Sequence, residues 1–339
     1  MPTVDPANLR DSLLCWRERI AEAVVPPFGL AVAITCCGEI VFEHIQGIAD
    51  LERLETVTRR TAFPLSSVSK PMTATAVLQL IAEGRLQLDG PACDVLPHLS
   101  ALEGITVNHL LRQTSGLPDP YLTCEREGRS SDGVTNQDVI ALIRRCPKTF
   151  TPGERFEYSN ANYVVLAQII EQVTGMAYGE AMREVIFEPA GMASSFVYTR
   201  GCRIERRACG YAAHEGNIES RDVSWLTYGD GGVWSTLEDM IRWDAWIGDQ
   251  SSRKPHLFAT AWSETILASG RRSIYGCGWV VRRGKGRTVV RHNGGDPGFG
   301  SVYARLVEED VGMVLLSNLD GSWKSLDELV DRILNDVAF

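Results

Sequence analysis

A chain of 339 residues with 44% hydrophobic and 23% charged residues has enough apolar material for a sizeable core, which excludes a disordered or low-complexity polypeptide. The formal net charge of −9 excludes a global basic field for nucleic acid or an anionic membrane. Two local basic clusters, Arg203/Arg206/Arg207 and Arg282/Arg283/Lys285/Arg287, are expected as solvated turns.

The first residues, MPTVDPANLRDSLLCWRER, carry charges early and lack the apolar core of a secretory leader. The least polar early stretch, 23–38, holds Pro26 and Pro27 and is too short to span a bilayer. A soluble, cytoplasmic protein is expected. Nine cysteines, none in a Cys-x-x-Cys pair, are expected as reduced thiols. The six histidines fall at no ligand spacing beside cysteines, so no metal site is expected.

In chain order, 11–24 places Leu13, Leu14, Trp16, Ile20, Ala23 and Val24 on a helical stripe ending before Pro26. Residues 29–38 form an apolar strand that turns at Gly38 into a second strand, 40–46. From 67 to about 191 the period is mostly helical, with helices expected over 73–82, 107–112, 136–145, 163–174 and 178–187. The period changes near 270, and strands are expected over 274–281, 288–292, 300–306 and 312–317, then a helix over 322–334. Runs of helices and runs of strands, rather than strand–helix alternation, predict an α+β fold with an antiparallel sheet. A single domain over 1–339 is expected, with an α/β lobe from about 1–65 and 200–339 and a helical lobe over about 66–199.

Three short segments carry chemistry. In Phe63-Pro-Leu-Ser-Ser-Val-Ser-Lys70, Ser67 and Lys70 stand three residues apart where a helix begins. A hydroxyl is a weak nucleophile that needs an adjacent base, and a helix places these two side chains on one face. A helix start also aims free N–H groups at a developing oxyanion. The competing reading is a serine helix cap beside an exposed lysine. The second segment is Glu157-Tyr158-Ser159-Asn160, ahead of a helix; a tyrosine there can relay a proton, and the competing reading is an Asx turn. The third, His292-Asn-Gly-Gly-Asp-Pro-Gly298, ends a strand with glycines that let backbone approach a ligand; the competing reading is a hairpin turn.

Together and in this order the three segments resemble the serine β-lactamase / penicillin-binding-protein superfamily, on the branch with class C β-lactamases, D-aminopeptidases and related esterases. The segments His109-Leu-Leu-Arg-Gln-Thr-Ser-Gly-Leu-Pro118 and Gly231-Gly-Val-Trp-Ser-Thr-Leu-Glu-Asp239 extend the resemblance and are expected as structural loops and caps. The resemblance implies a β-lactamase/transpeptidase-like fold, an antiparallel sheet flanked by terminal helices with an inserted helical subdomain. It implies Ser67 as acylated nucleophile, Lys70 as base or proton shuttle, and Tyr158 as a further proton carrier, with the first base left open. Asn160 would bind the acyl side of the substrate, and the N–H groups of Ser67 and Gly295 would form the oxyanion hole.

Where β-lactam-active members carry Lys-Thr-Gly, this chain has His292-Asn293-Gly294. A permanent cation is thereby replaced by a group mostly neutral at pH 7, which orients substrate or carries a second proton. That departure disfavours β-lactamase chemistry and favours hydrolysis of a small ester, amide or thioester through an acyl-serine. The alternatives are an acyltransferase of the same fold with an amine or alcohol acceptor, and a catalytically inactive binding protein. No cofactor, nucleic acid or membrane partner is implied. The segment 118–135 is expected as a loop at the rim of the cleft.

Overall fold

A computed structural model describes residues 4–284 and 286–337. Lys285, in the second basic cluster, lies outside the described residues. Around it Arg282 pairs with Asp331 at 3.1 Å and Arg287 with Glu309 at 2.8 Å. In the first cluster Arg207 pairs with Asp222.

The strand–turn–strand of the first fifty residues forms β1 (Leu30–Cys36) and β2 (Glu39–Gln46). The late strands are β3 (Val280–Gly284), β4 (Arg287–Asp296), β5 (Phe299–Leu306) and β6 (Val311–Ser317). They assemble one six-stranded sheet in the order β3-β4-β5-β6-β1-β2, antiparallel throughout. Leu30 lies opposite Ser317 and Cys36 opposite Val311, so the sheet is built from both ends of the chain. The fold is α+β, as the runs of helices and strands predict.

Side chains alternate across a strand, and β1 shows what that does here. Leu30, Val32, Ile34 and Cys36 face one layer, where they pack with Leu9, Leu13, Trp16 and Ile20 and with Leu326, Val330 and Ile333. Ala31 and Ala33 face the other layer with Trp243 and Ile247. The first layer is covered by α1 (Pro6–Leu14), α2 (Arg17–Glu22) and the late helix α6 (Trp323–Asp336). On the second face lie α3 (Ser69–Ala82), α4 (Asn160–Thr174) and α5 (Leu237–Arg253) within the larger core.

Several expected boundaries move for local reasons. The helix expected over 11–24 starts earlier, because Asp5 caps it by accepting from Ala7 N at 2.9 Å, and it breaks into α1 and α2 at Cys15 and Trp16. The helix expected from 178 becomes Tyr178–Met182 followed by a π-helical turn, Arg183–Phe187. The expected strand over 274–281 becomes strand only at Val280. Ahead of it the chain turns through Gly278 at φ +81°, where a Cβ would lie 2.8 Å from Ala74 Cβ and 2.9 Å from Lys70 O. Glycine is required for that approach. The segment 118–135 is partly ordered as a helix, Pro120–Arg126, capped by Asp119.

The two layers are locked by a buried ion pair. Arg305 on β5 and Asp244 on α5 have side chains 3% and 1% exposed and meet at 2.6 Å. Tyr303 donates to Asp244 Oδ1 at 2.7 Å and Thr35 to Oδ2 at 2.6 Å. Arg305 also pairs with Asp310 between β5 and β6, but without Asp244 its buried guanidinium, Tyr303 and Thr35 all lose an acceptor. Asp244→Ala is expected to lower unfolding free energy by about 3–5 kcal/mol, read as the midpoint shift in urea; an unmoved midpoint would contradict this account.

Candidate active site

A 3-10 turn, Ser66–Val68, feeds directly into α3. Neither the turn nor the helix has a side-chain cap, so the serines of this segment are not capping residues. Ser66 adopts φ +51°, a left-handed conformation that is costly outside glycine. Ser67 is the one residue between Thr61 and Leu78 that is not buried. Leu65 N donates to Val233 O at 2.8 Å, and Ser301 Oγ donates to Leu65 O at 2.7 Å, so the turn is pinned to a short strand, Val233–Thr236, and to β5. Gly294 on β4 completes the seat, since a Cβ there would lie 2.5 Å from Leu65 O and 2.9 Å from Ser66 Cβ.

Lys70 is fully buried. Its Nζ donates to Ser67 Oγ at 2.9 Å, Asn160 Oδ1 at 2.8 Å and Asp230 O at 2.6 Å. An ammonium has three donors, and all three are used. The Nζ also lies 5.0 Å and 5.7 Å from the ring centroids of Tyr158 and Tyr163. Burial pushes the Lys70 amine down to about 8, with Asp230, Asp119 and Asp296 acting in the opposite sense.

Tyr158 donates to Ser67 Oγ at 3.1 Å, so hydroxyl, amine and phenol share one hydrogen-bonded cluster. Loss of solvent raises the phenol well above its usual range, and Ser67 partly offsets that. The loop carrying Tyr158 is held from the 109–118 segment. Gln113 Oε1 accepts from Ser159 N at 3.0 Å and Gln113 O accepts from Glu157 N at 3.0 Å. That segment is therefore structural, as expected. So is 231–239, where Thr236 caps α5 by accepting from Asp239 N at 3.1 Å.

Asn160 has partners on the protein itself. Its Oδ1 is taken by Lys70, and its Nδ2 and backbone N donate to Asp119 Oδ2 at 2.9 Å and 2.8 Å. The amide is thus first a bracket for Lys70, although the residue also borders the cavity beside Ser67. His292 is buried on β4. Its Nδ1 donates to Asn293 O at 2.6 Å, which leaves Nε2 to accept from Tyr275 Oη at 3.1 Å. Burial first, then the nearby Lys70 charge, pushes the imidazole down to about 3. The ring is held neutral with Nδ1 protonated, and Nε2 is engaged by Tyr275.

Ser67 lies between two cavities. The first, about 150 Å³, is bordered by Asn160, Asp230, Asp296, Trp225 and Trp234 together with Ser67. The second, about 380 Å³, is bordered by Phe156, Tyr158, Tyr275, His292 and Trp323. Gly295 borders both. Sequence reasoning missed Asp119, Asp230 and Tyr275 as members of this region. An aspartate directly before the Gly231-Gly232 pair was the one readable signal; Tyr275 had none. Among the described residues no group of three or more His, Cys, Asp or Glu side chains is placed to hold a metal ion, and all nine cysteines are free thiols. No described helix is long and apolar enough to cross a membrane.

The antiparallel sheet thus has helices on both faces, with the Ser67, Lys70 and Tyr158 cluster seated beside β4 and β5. The chain belongs to the β-lactamase family, whose sequence profile matches residues 21–337. It is 32% identical to penicillin-binding protein 4* of Bacillus subtilis (strain 168) over 299 residues, covering 83% of this chain and 66% of that one. It is 29% identical to the D-aminopeptidase of Brucella ovis over 327 residues, covering 95% of this chain and 61% of that one. The chain therefore spans about two thirds or less of the length of these relatives. Among solved structures, the octameric penicillin-binding protein homologue from Pyrococcus abyssi superposes with a TM-score of 0.79 at 25% identity, covering 98% of this chain and 77% of that one.

Asp119 carries two jobs, since its Oδ1 also caps the Pro120–Arg126 helix by accepting from Tyr121 N and Leu122 N at 2.9 Å and 3.0 Å. Asp119→Ala is expected to cost about 1–3 kcal/mol of stability and to release the Asn160 amide from Lys70. Urea unfolding and a crystal structure of the variant check both; an unmoved Asn160 would contradict the bracket role.

Proposed function

We propose that the chain is a serine hydrolase that cleaves a small amide or ester through an acyl-serine intermediate at Ser67. The observation that carries this reading is the Ser67 hydroxyl, half-exposed between two cavities and bonded to both Lys70 Nζ and Tyr158 Oη. The D-aminopeptidase relative, by its name, supports an amide or peptide bond as the target.

In the first step the neutral form of Lys70 takes the Ser67 proton as Oγ attacks the substrate carbonyl carbon. Tyr158 is the weaker candidate for this step, because its surroundings keep the phenol protonated. The carbonyl oxygen becomes an oxyanion and receives the N–H groups of Ser67 and Gly295. Collapse breaks the bond to the leaving group. Tyr158 passes it a proton and is reprotonated from Lys70, so the amine or alcohol departs neutral. Water then attacks the acyl-serine, gives its proton back through the same pair, and releases the acid while restoring the Ser67 hydroxyl.

Neutral His292 in place of a lysine supplies no fixed charge for a carboxylate. That supports small amides and esters over β-lactams. Nitrocefin, run beside p-nitrophenyl acetate, is expected to be the poorer substrate.

Ser67→Ala is expected to reduce p-nitrophenyl acetate turnover at least about a thousandfold and to abolish the covalent fluorophosphonate adduct seen by intact mass on the native chain. Turnover at the native rate in Ser67→Ala would overturn the assignment, and absence of an adduct on the native chain would favour an inactive binding protein. Formation of a new ester or amide with added alcohols or amines would favour acyl transfer.

A pH profile provides an independent check. An amine with its pKa near 8 is mostly ammonium at pH 7 and gains its base form as pH rises. The acylation rate is expected to climb with pH and level off above about 8. A profile that is flat from pH 6 to 9, or falls across it, excludes Lys70 as the first base.

A further inference from the structure

The cavity on the Tyr158 side of Ser67 measures about 380 Å³, and none of its bordering residues is an aspartate, glutamate, lysine or arginine. The carboxyl groups of Asp230 and Asp296 border the other cavity instead. Burial, then the Lys70 charge, holds His292 neutral, and its Nε2 accepts from Tyr275 Oη at 3.1 Å. That bond takes the one proton Tyr275 has to give, and Tyr158 gives its own to Ser67 Oγ at 3.1 Å. Lys70 spends its three donors on Ser67, Asn160 and Asp230. The cations that flank this wall in sequence turn elsewhere. Arg291 is buried against Asp327 and Asp331, and Arg155 pairs with Glu157 at 3.2 Å. Lys324 is exposed, with its Nζ 5.5 Å from the Trp323 ring centroid, and does not border the space. A carboxylate placed in this cavity would lose its hydration and meet no bordering cation, which is costly.

The rest of the wall is apolar and largely aromatic. Phe156 and Tyr275 lie with ring centroids 5.5 Å apart, and Tyr158 stands edge-on to Tyr275 at 6.1 Å. Trp323 packs directly on the backbone of Gly295, where a Cβ would lie 2.5 Å from its Cδ1. At the border Ile274 is 53% exposed. A large apolar side chain left in water beside a cavity gains by being covered, and rings favour edge and offset contacts with other rings. Direction follows from proton delivery. Tyr158 borders this cavity and not the other, so the group that takes its proton departs on this side.

We infer that this cavity is the leaving-group subsite and that it takes an uncharged aromatic alcohol or amine, held among Tyr275, Trp323 and Ile274. The inference rests on the acyl-serine reading for its orientation. Its substrate class is an ester or amide whose departing half carries a neutral ring. A departing half that carries a carboxylate, as an amino acid does, would lie there unpaired.

The test compares phenyl acetate, 2-naphthyl acetate and 3-acetoxybenzoate, which share one acyl group and release phenols of similar acidity. 2-Naphthyl acetate is expected to exceed 3-acetoxybenzoate about tenfold or more in kcat/KM, with phenyl acetate between them. Ile274→Lys puts a cation at an exposed position beside the cavity, and there the ratio of the first to the last is expected to fall about tenfold or more. Equal kcat/KM on the three esters, a preference for the carboxylate, or an unchanged ratio in Ile274→Lys would overturn the subsite. A binding measurement frees the conclusion from turnover. Calorimetry on Ser67→Ala is expected to detect 2-naphthol but not 3-hydroxybenzoate, and that preference is expected to narrow when Ile274→Lys is added. Equal binding of the two phenols, or none of either, counts against the subsite. Turnover of p-nitrophenyl acetate without discrimination among the three esters sinks the subsite and leaves the hydrolase reading standing. Binding of 2-naphthol without any fluorophosphonate adduct at Ser67 does the reverse.

Discussion

A lysine ammonium without solvent must find three acceptors from the protein, and the architecture around Lys70 follows from that demand. Ser67, Asn160 and Asp230 supply them. They come from three separate parts of the chain: the turn before α3, the start of α4 and the loop before the Val233–Thr236 strand. Each is braced from behind, Ser67 by Gly294 and Ser301, Asn160 by Asp119, and Asp230 by Tyr121 and Thr227. Satisfying one buried charge thus sets the relative positions of the groups that surround the reactive hydroxyl. The same burial lowers the affinity of Lys70 for its proton, so the group that organises the site is also poised to leave its charged state.

The two sides of Ser67 differ in kind. One wall has carboxyl groups and stacked aromatics; the other has neutral His292, Tyr275, Phe156 and Trp323. Tyr275 ties its wall together by donating to His292 while packing edge-on against Tyr158, with ring centroids 6.1 Å apart. The carboxyl groups therefore lie on one side of the hydroxyl only, where burial raises both of them toward the neutral form.

Much of this was legible in the sequence where the determinants are local. Ser67 and Lys70 sit one helical turn apart, Tyr158 stands on a short loop before a helix, and Gly294 and Gly295 stand where backbone must come close. The change of period near residue 270 announced the late strands. What stayed hidden depends on tertiary proximity. Nothing near Tyr275 in the chain signals a bond to His292, and Asp119 lies in a segment that reads as loop until its role as cap and bracket is seen. The strand expected over 274–281 failed because Gly278 must turn beside the Lys70 backbone, a demand made by a helix two hundred residues away. The bonds of the Asn160 amide to Lys70 and Asp119 stayed hidden for the same reason.

The strand order has a bearing on how the protein is made. Strands β1 and β6 lie side by side in the middle of the sheet, pairing Leu30 with Ser317. A ribosome-bound chain that has emitted β1 and β2 holds a hairpin whose inner edge stays unpaired until β6 emerges. Such long-range pairing makes assembly slow, and during that wait a ladder of free N–H and C=O groups faces the solvent.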